Sequence, residues 1–326
     1  MSDSTSPPPS RSQKTLARVL GGVTRGVILR VTQSPRIAPY VQRHGLRWGA
    51  SRFVAGESLD DCIEVLHDLG RRGFRSYAIV LGESVTDREA VARAVATHAE
   101  MVRRLGAEPL GVTMAMKLTQ LGLSIDEDLA FENALEVLSL AREHRMFIRL
   151  DMESSAHVDA TLRIYRRLRG EGLSNTGVVI QSYLRRSAGD LAALLDEGVN
   201  VRLVKGAYLE SPDVAFQRKA DVDRNYIRLI EMALDRASFT AVATHDDAVL
   251  DRVSAWVGSR RDGLDGRFEF QLLYGVRPNL SERLVAAGHP VRICVPYGSQ
   301  WYIYLGRRLA ERPANLVFAL RSLRGR

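Results

Sequence analysis

Arg307 and Arg308 are the residues whose type and spacing first suggest chemistry. On a helix they stand about 100° apart, so both guanidinium forks can reach one anion between them, with Glu311 one turn on as a brace. Planar, bidentate arginine suits a carboxylate or a phosphate. A solvated basic helix face carries the same dipeptide, so the pair alone does not choose. The stretch around it is ordered: residues 291–295 alternate like a short buried strand, Pro296 and Gly298 break it, residues 301–312 have helical spacing, and Pro313 ends the helix.

The elements that must position this pair follow one alternation. Helical spacing over residues 59–72, 87–105, 126–144, 157–169, 191–197, 214–237, 249–257 and 280–287 is interleaved with strand-like runs at 76–81, 111–116, 147–150, 177–180, 201–204, 240–243, 268–272 and 291–295. Eight strands, each followed by helical sequence, predict an α/β fold of the (β/α)8 TIM-barrel type, with its active site at the carboxyl ends of the strands. A doubly wound sheet is the alternative, but no G-x-G-x-x-G follows the first strand. Three regions are expected: a Ser/Pro-rich disordered tail at 1–15, an N-terminal helical segment at 16–50, and the barrel at 51–326. Within the second, Leu16, Val19, Leu20, Val23, Val27 and Ile28 recur at helical spacing beside Arg18, Arg25 and Arg30. Such a basic amphipathic helix either packs on the body of the protein or lies on an anionic membrane surface.

Composition bounds the partners. At 326 residues and 45% apolar the chain can bury a sizeable core, and its net charge of +8 favours anionic ligands. No zinc-finger spacing, aromatic RNA-binding motif or basic block accompanies that charge, which argues against nucleic acid. Two distant cysteines, Cys62 and Cys294, without a signal peptide, imply a reducing compartment. No run approaches the roughly 20 apolar residues of a membrane span. The expected location is cytoplasmic, with peripheral contact at the inner face of the membrane if the basic helix docks there.

Just past the predicted strands stand Gly82-Glu83, Lys117, Asp151-Met152-Glu153, Gln181, Lys205-Gly206, Thr244-His245-Asp246, Tyr274-Gly275 and Pro296-Tyr297-Gly298. A ring of Glu, Lys, Asp, Gln and His at one mouth is costly unless its members pair or meet a ligand. Ion pairs closing the barrel top are the bland reading. No G-x-S-x-G, Cys-His pairing or H-E-x-x-H appears, so neither triad nor metal chemistry is supported. Lys117 or Lys205 as a Schiff-base nucleophile remains open from spacing alone.

With these residues in place, the chain resembles the proline dehydrogenases, flavoenzymes with a distorted (β/α)8 barrel. The resemblance runs through Phe53-Val-Ala-Gly-Glu57, Leu81-Gly-Glu83, Lys117-Leu-Thr-Gln-Leu-Gly-Leu123, Asp151-Met-Glu153, Arg202-Leu-Val-Lys-Gly-Ala-Tyr208, Ala243-Thr-His-Asp246, Phe270-Gln-Leu-Leu-Tyr-Gly275, Val295-Pro-Tyr-Gly298 and Arg307-Arg-Leu-Ala-Glu-Arg-Pro-Ala-Asn315. It implies that Lys117, Arg307 and Arg308 hold a substrate carboxylate and that Leu273 packs on the substrate ring. Asp151 and Arg202 match the active-site acid and the arginine near flavin N5. Met152, Gln181, Lys205, Gly206, Ala207, Thr244 and His245 would surround FAD. The implied reaction moves a hydride from ring C5 to flavin N5, leaving a cyclic imine, and passes electrons to a quinone.

Two positions depart from the family's pattern. Ile79 stands where an Asp-x-Leu-Gly-Glu motif has its aspartate, and Cys294 stands where a tyrosine usually packs on the far side of the ring. Cys294 reads more simply as a small buried residue than as a reactive thiol. Three functions stay in play: an FAD-dependent dehydrogenase of proline or a ring-substituted relative such as hydroxyproline, a flavin-free Schiff-base barrel enzyme, and a low-turnover flavin-binding regulatory protein. If the arginine pair is a clamp, Arg307→Met or Arg308→Met each removes a charge-assisted contact worth about 1.5–3 kcal/mol, raising KM by roughly 10- to 150-fold while flavin content holds. Wild-type kinetics in both variants would return the pair to a solvated face.

Overall fold

A computed structural model of the chain describes residues 45–46, 49–82, 84–259, 264 and 266–311, with the side chains of residues 307 and 309–311 left out. The expected tail, the basic helix at 16–31, Glu83, the Arg307 and Glu311 side chains and the 313–315 motif lie outside those residues. Residues 54–298 form one compact unit, and residues 49–53 and 299–311 belong to a second.

The first unit is a barrel of alternating elements: α1 (Leu59–Arg71), β1 (Arg75–Val80), α2 (Arg88–Ala107), β2 (Thr113–Met116), α3 (Glu127–Glu143), β3 (Ile148–Leu150), α4 (Val158–Gly170), β4 (Thr176–Gln181), α5 (Ser187–Asp196), β5 (Asn200–Val204), α6 (Lys219–Arg236), β6 (Phe239–Ala243), α7 (Asp247–Ser259), β7 (Phe268–Leu273), α8 (Pro278–Ala286) and β8 (Val291–Tyr297). The strands are parallel and close in chain order, β1 completing the ring by pairing with β8 from Arg75↔Arg292 to Val80↔Tyr297. The second unit contains a short 3-10 turn, Ala50–Arg52, and the helix α9 (Trp301–Glu311).

The sequence dictates this arrangement locally. Strands buried on both faces read as apolar runs, and β4 is buried along its whole length. Each helix turns one stripe inward, as Cys62, Ile63, Leu66 and Leu69 do on α1. Helix starts are fixed by caps: Ser58 and Asp61 form a reciprocal capping box, and Asp87 and Asp126 accept the backbone N–H groups of Ala90 and Leu129. Gly177 on β4 lies opposite Arg149 in register, and a Cβ there would stand 2.3 Å from the Asn200 carbonyl oxygen. Only glycine fits that close approach.

Three of the boundaries that differ from the expected ones have a visible cause or a large shift. β8 runs on through Pro296 to Tyr297, since proline needs no partner for a missing N–H and its carbonyl accepts from Ala55 N at 2.9 Å. The helix expected from Val214 begins at Lys219. Before it the backbone is spent on a return strand: Ala215 bridges Leu184, Arg185 N donates to Val214 O at 3.0 Å, and Phe216 N to Tyr183 O at 2.8 Å. α5 starts at Ser187, four residues before its apolar stripe begins. No helix among the described residues is long and apolar enough to cross a membrane.

His98 on α2 is fully buried; Nδ1 faces the Ala94 carbonyl at 2.8 Å, and Nε2 has no hydrogen-bond partner among the described residues. Burial pushes this ring's pKa below its ordinary value, the Ala94 contact opposing it. The unfolded chain therefore takes up a proton below about pH 6.5 that the folded chain refuses, and stability falls with pH there, by at most about 1.4 kcal/mol per pH unit. Thermal unfolding of His98→Leu between pH 7 and pH 5 should show a shallower decline than the parent. Parallel curves would remove His98 from the acid response.

Candidate active site

The barrel interior is layered, because alternate residues on each strand point inward. The lowest layer is charged. Arg149 donates Nη1 to the carbonyls of Val178 and Asn200 at 3.2 and 3.0 Å and Nη2 to Asn200 Oδ1 at 2.5 Å, so its acceptors are all neutral oxygens. Burial first, and the charge of Arg202 second, push its guanidinium pKa down. Across from it Arg292 Nε meets Glu269 Oε1 at 2.8 Å. Arg149, Asn200, Arg202, Glu269, Gln271 and Arg292 line a cavity of about 230 Å³ at this level.

Arg202 forms the next layer. It projects from β5, is 5% exposed, and its guanidinium lies 5.0 Å from the Tyr77 ring centroid. Its Nη2 is ion-paired with Asp151, the first residue past β3, and its Nη1 donates to Gln271 Oε1 at 3.3 Å. Nε is buried and has no hydrogen-bond partner among the described residues. An orphaned donor on a buried cation is costly where nothing accepts from it, and it suits a ligand acceptor at this spot.

At the carboxyl mouth a second network holds the loops. Glu153, 3% exposed, accepts from Thr119 N at 3.1 Å and Thr119 Oγ1 at 2.6 Å. Burial raises its carboxyl pKa, while the Thr119 bonds and then the charge of Lys117 pull it back. Thr119 lies in the short turn that follows Lys117, and Lys117 Nζ donates to Gly82 O at 3.1 Å. Gln181 is tied in by Nε2 to Glu153 O at 2.8 Å, and Met152, the residue before Glu153, is buried. Lys205 sits between Asp223 and Asp246 at 2.6 and 2.7 Å, and its hydrogen bond is the main reason Asp246 falls to about 2. Gly206 adopts φ +107°, and a Cβ there would come within 2.1 Å of the Tyr183 ring, so the turn to the half-buried Ala207 requires glycine. Thr244 Oγ1 accepts from Asp246 N at 3.2 Å, and His245 Nε2 accepts from Leu273 N at 3.2 Å.

Of the residues that the resemblance assigns to the substrate, Lys117, Leu273 and Cys294 belong to the first unit, and Arg307 and Arg308 to the second. Leu273 packs against a buried cluster of Tyr77, Ile79, Ala115 and Cys294. Both departures from the family pattern therefore share one patch on one wall. Arg307 and Arg308 lie on α9 in the second unit, where the Arg308 guanidinium stands 5.6 Å from the Tyr304 ring. Sequence reasoning did not single out Tyr77, Thr119, Glu269 or Gln271, and weighed Glu153 only as one of a ring. Period-two spacing puts Glu269, Gln271 and Leu273 on one face of β7, and two polar side chains facing a barrel interior were the signal available.

The proline dehydrogenase family model matches residues 62–321. A protein named Proline dehydrogenase from Deinococcus radiodurans is 39% identical over 304 residues, covering 92% of this chain and 97% of its own length. Proline dehydrogenase 1 of Bacillus subtilis is 36% identical over 299 residues, covering 92% and 98%. Among solved structures, proline utilization A (PutA) from Bdellovibrio bacteriovorus inactivated by N-propargylglycine matches with a TM-score of 0.79 at 22% identity, over 91% of this chain and 38% of that one. That likeness is one of fold.

The Glu153 network makes a separate forecast. Glu153→Gln keeps the shape but leaves one acceptor for two Thr119 donors, its NH2 group facing the other donor, which should lower unfolding free energy by about 1–3 kcal/mol in urea titration. An unchanged midpoint would mean that Glu153 does not anchor the turn after Lys117.

Proposed function

The chain belongs to the proline dehydrogenase family, and from that premise we propose that it oxidises L-proline to 1-pyrroline-5-carboxylate with non-covalent FAD, electrons passing to a quinone. The observation that carries this reading is Arg202: a buried cation, fixed by Asp151 on one side, with an unused Nε donor. The chemistry a bound flavin supplies is two-electron acceptance, taking the hydride from ring C5 as the ring nitrogen loses its proton. Arg202 supplies positive charge in a site walled off from water, where it stabilises negative charge developing on the acceptor. Asp151 and Gln271 hold that guanidinium, so little reorganisation accompanies the reaction. Met152, Gln181, Lys205, Gly206, Ala207, Thr244 and His245 would hold the flavin. Lys117 would take the substrate carboxylate, together with the arginines assigned to it by resemblance, and Leu273 the ring.

The Schiff-base alternative fits poorly at Lys205, which is ion-paired with two carboxylates, the opposite of the desolvated setting that activates a lysine nucleophile. At Lys117 the flavin readout below separates the two readings. A ring-substituted substrate has a specific observation behind it, since Cys294 puts a small side chain where a tyrosine is expected, in one buried patch with Ile79, which lacks the expected carboxylate. That patch is apolar apart from the Tyr77 hydroxyl and the thiol, so substituted rings are admitted by room more than by hydrogen bonding.

The purified protein should be yellow, release FAD on denaturation, and bleach when L-proline is added without oxygen. A colourless protein that cannot be reconstituted would sink the reading, and a flavoprotein that no cyclic amino acid bleaches would favour the low-turnover relative. Cys294→Tyr should raise the preference for proline over 4-hydroxyproline by roughly 10- to 200-fold in kcat/KM, the range one filled pocket commands. An unchanged ratio in the loaded enzyme would mean that Cys294 does not face the ring.

A further inference from the structure

Glu269 is the most buried carboxylate in the barrel interior, at 1% exposure, and the chemistry proposed above does not use it directly. Burying a carboxylate is costly, so its surroundings must answer it. Its Oε1 accepts from Arg292 Nε at 2.8 Å and from Gln271 Nε2 at 2.7 Å. Arg292 is held in turn from β1, where its Nη1 donates to Ser76 O at 2.9 Å.

The second of these contacts has a directional effect. A glutamine amide can present either its oxygen or its NH2 group, and the two ends have opposite hydrogen-bonding character. Because Glu269 can only accept, it captures Nε2 and leaves Gln271 Oε1 facing Arg202, where that oxygen accepts from Nη1 at 3.3 Å. The reversed amide would set acceptor against acceptor at Glu269 and donor against donor at Arg202. Arg202 is thereby held from below by Gln271 and from above by Asp151.

We propose that Glu269 is a positioning residue for the reaction, fixing the orientation of the Arg202 guanidinium through Gln271 while Arg292 anchors it. The inference rests on the reading of Arg202 as the cation that faces the flavin. Its purely structural rival is that Glu269 only balances the charge of Arg149 and Arg292. The two differ in whether removing Glu269 still matters once Gln271 is gone.

The test uses the full FAD-loaded chain with Glu269→Leu, Gln271→Leu and the double variant, measuring kcat, KM for L-proline, the bound-flavin absorption spectrum and the unfolding midpoint. Leucine offers Gln271 no acceptor, so Glu269→Leu should lower kcat by about 10- to 100-fold, as a small misplacement of a charged group does, with KM within about threefold. Its flavin spectrum should shift as that of Gln271→Leu does, and the double variant should lose no more than Gln271→Leu alone, because the two act along one route. Wild-type kcat in Glu269→Leu, multiplicative losses in the double variant, or a lower unfolding midpoint with kcat intact would each overturn the inference. If Glu269→Leu fails to fold, wild-type kcat in Gln271→Leu does so by itself. A parent enzyme reduced by proline while the Glu269 variants behave normally refutes only the relay. A parent enzyme without flavin, or not reduced by proline, refutes the functional reading and the relay with it.

Discussion

A guanidinium buried inside a barrel has to be answered by the walls around it, and Arg202 sets that demand here. Asp151 supplies the opposite charge, Gln271 supplies an acceptor, and Tyr77 offers a ring face. Removing one partner from such a pair costs about 3–5 kcal/mol, since it strands the other charge. The satisfaction is still incomplete, because Nε is left over. Folding alone gives no reason to bury a cation with a donor unused. A ligand acceptor does, and this ties the barrel's polar interior to the chemistry of the family.

The rest of the interior follows from making room for charge. Gly177 removes a side chain where Arg149 and the Asn200 carbonyl crowd the wall. Glu269, Gln271 and Arg292 build a floor of hydrogen bonds beneath Arg202, while the mouth is laced by Glu153 to Thr119 and by Lys205 to Asp223 and Asp246. Beside these polar networks, Tyr77, Ile79, Ala115 and Cys294 form a separate buried cluster against which Leu273 packs. Both positions where the sequence departs from the pattern the resemblance carries, Ile79 and Cys294, lie in that patch.

Much of this was legible in the sequence, and the limits have physical causes. Barrel strands show as apolar runs because both faces are buried, and β1 through β8 were found in order. β8 was cut short at Pro296, since proline looks like a breaker when only the missing N–H is considered, although its carbonyl is fully used. The start of α6 was misplaced because Val214 to Arg218 pairs with residues far away in the sequence. Asp151 and Lys117 could be named from strand ends, whereas Arg202, in the middle of β5, was named only through the resemblance. Glu269 and Gln271 could not, because alternating polar residues on a strand ordinarily mean a solvated face, and only barrel closure turns that face inward. Arg307 and Arg308 were picked out by spacing, which describes their reach along a helix but not what lies before them.

The claim that Arg202 provides the charge that stabilises the reduced acceptor is tested most directly by the midpoint potential of the bound flavin. Parent and Arg202→Met proteins, each reconstituted with FAD, would be titrated anaerobically at one pH. Losing a fixed positive charge should shift the potential to more negative values in the variant. Equal potentials in two fully loaded proteins would contradict the account.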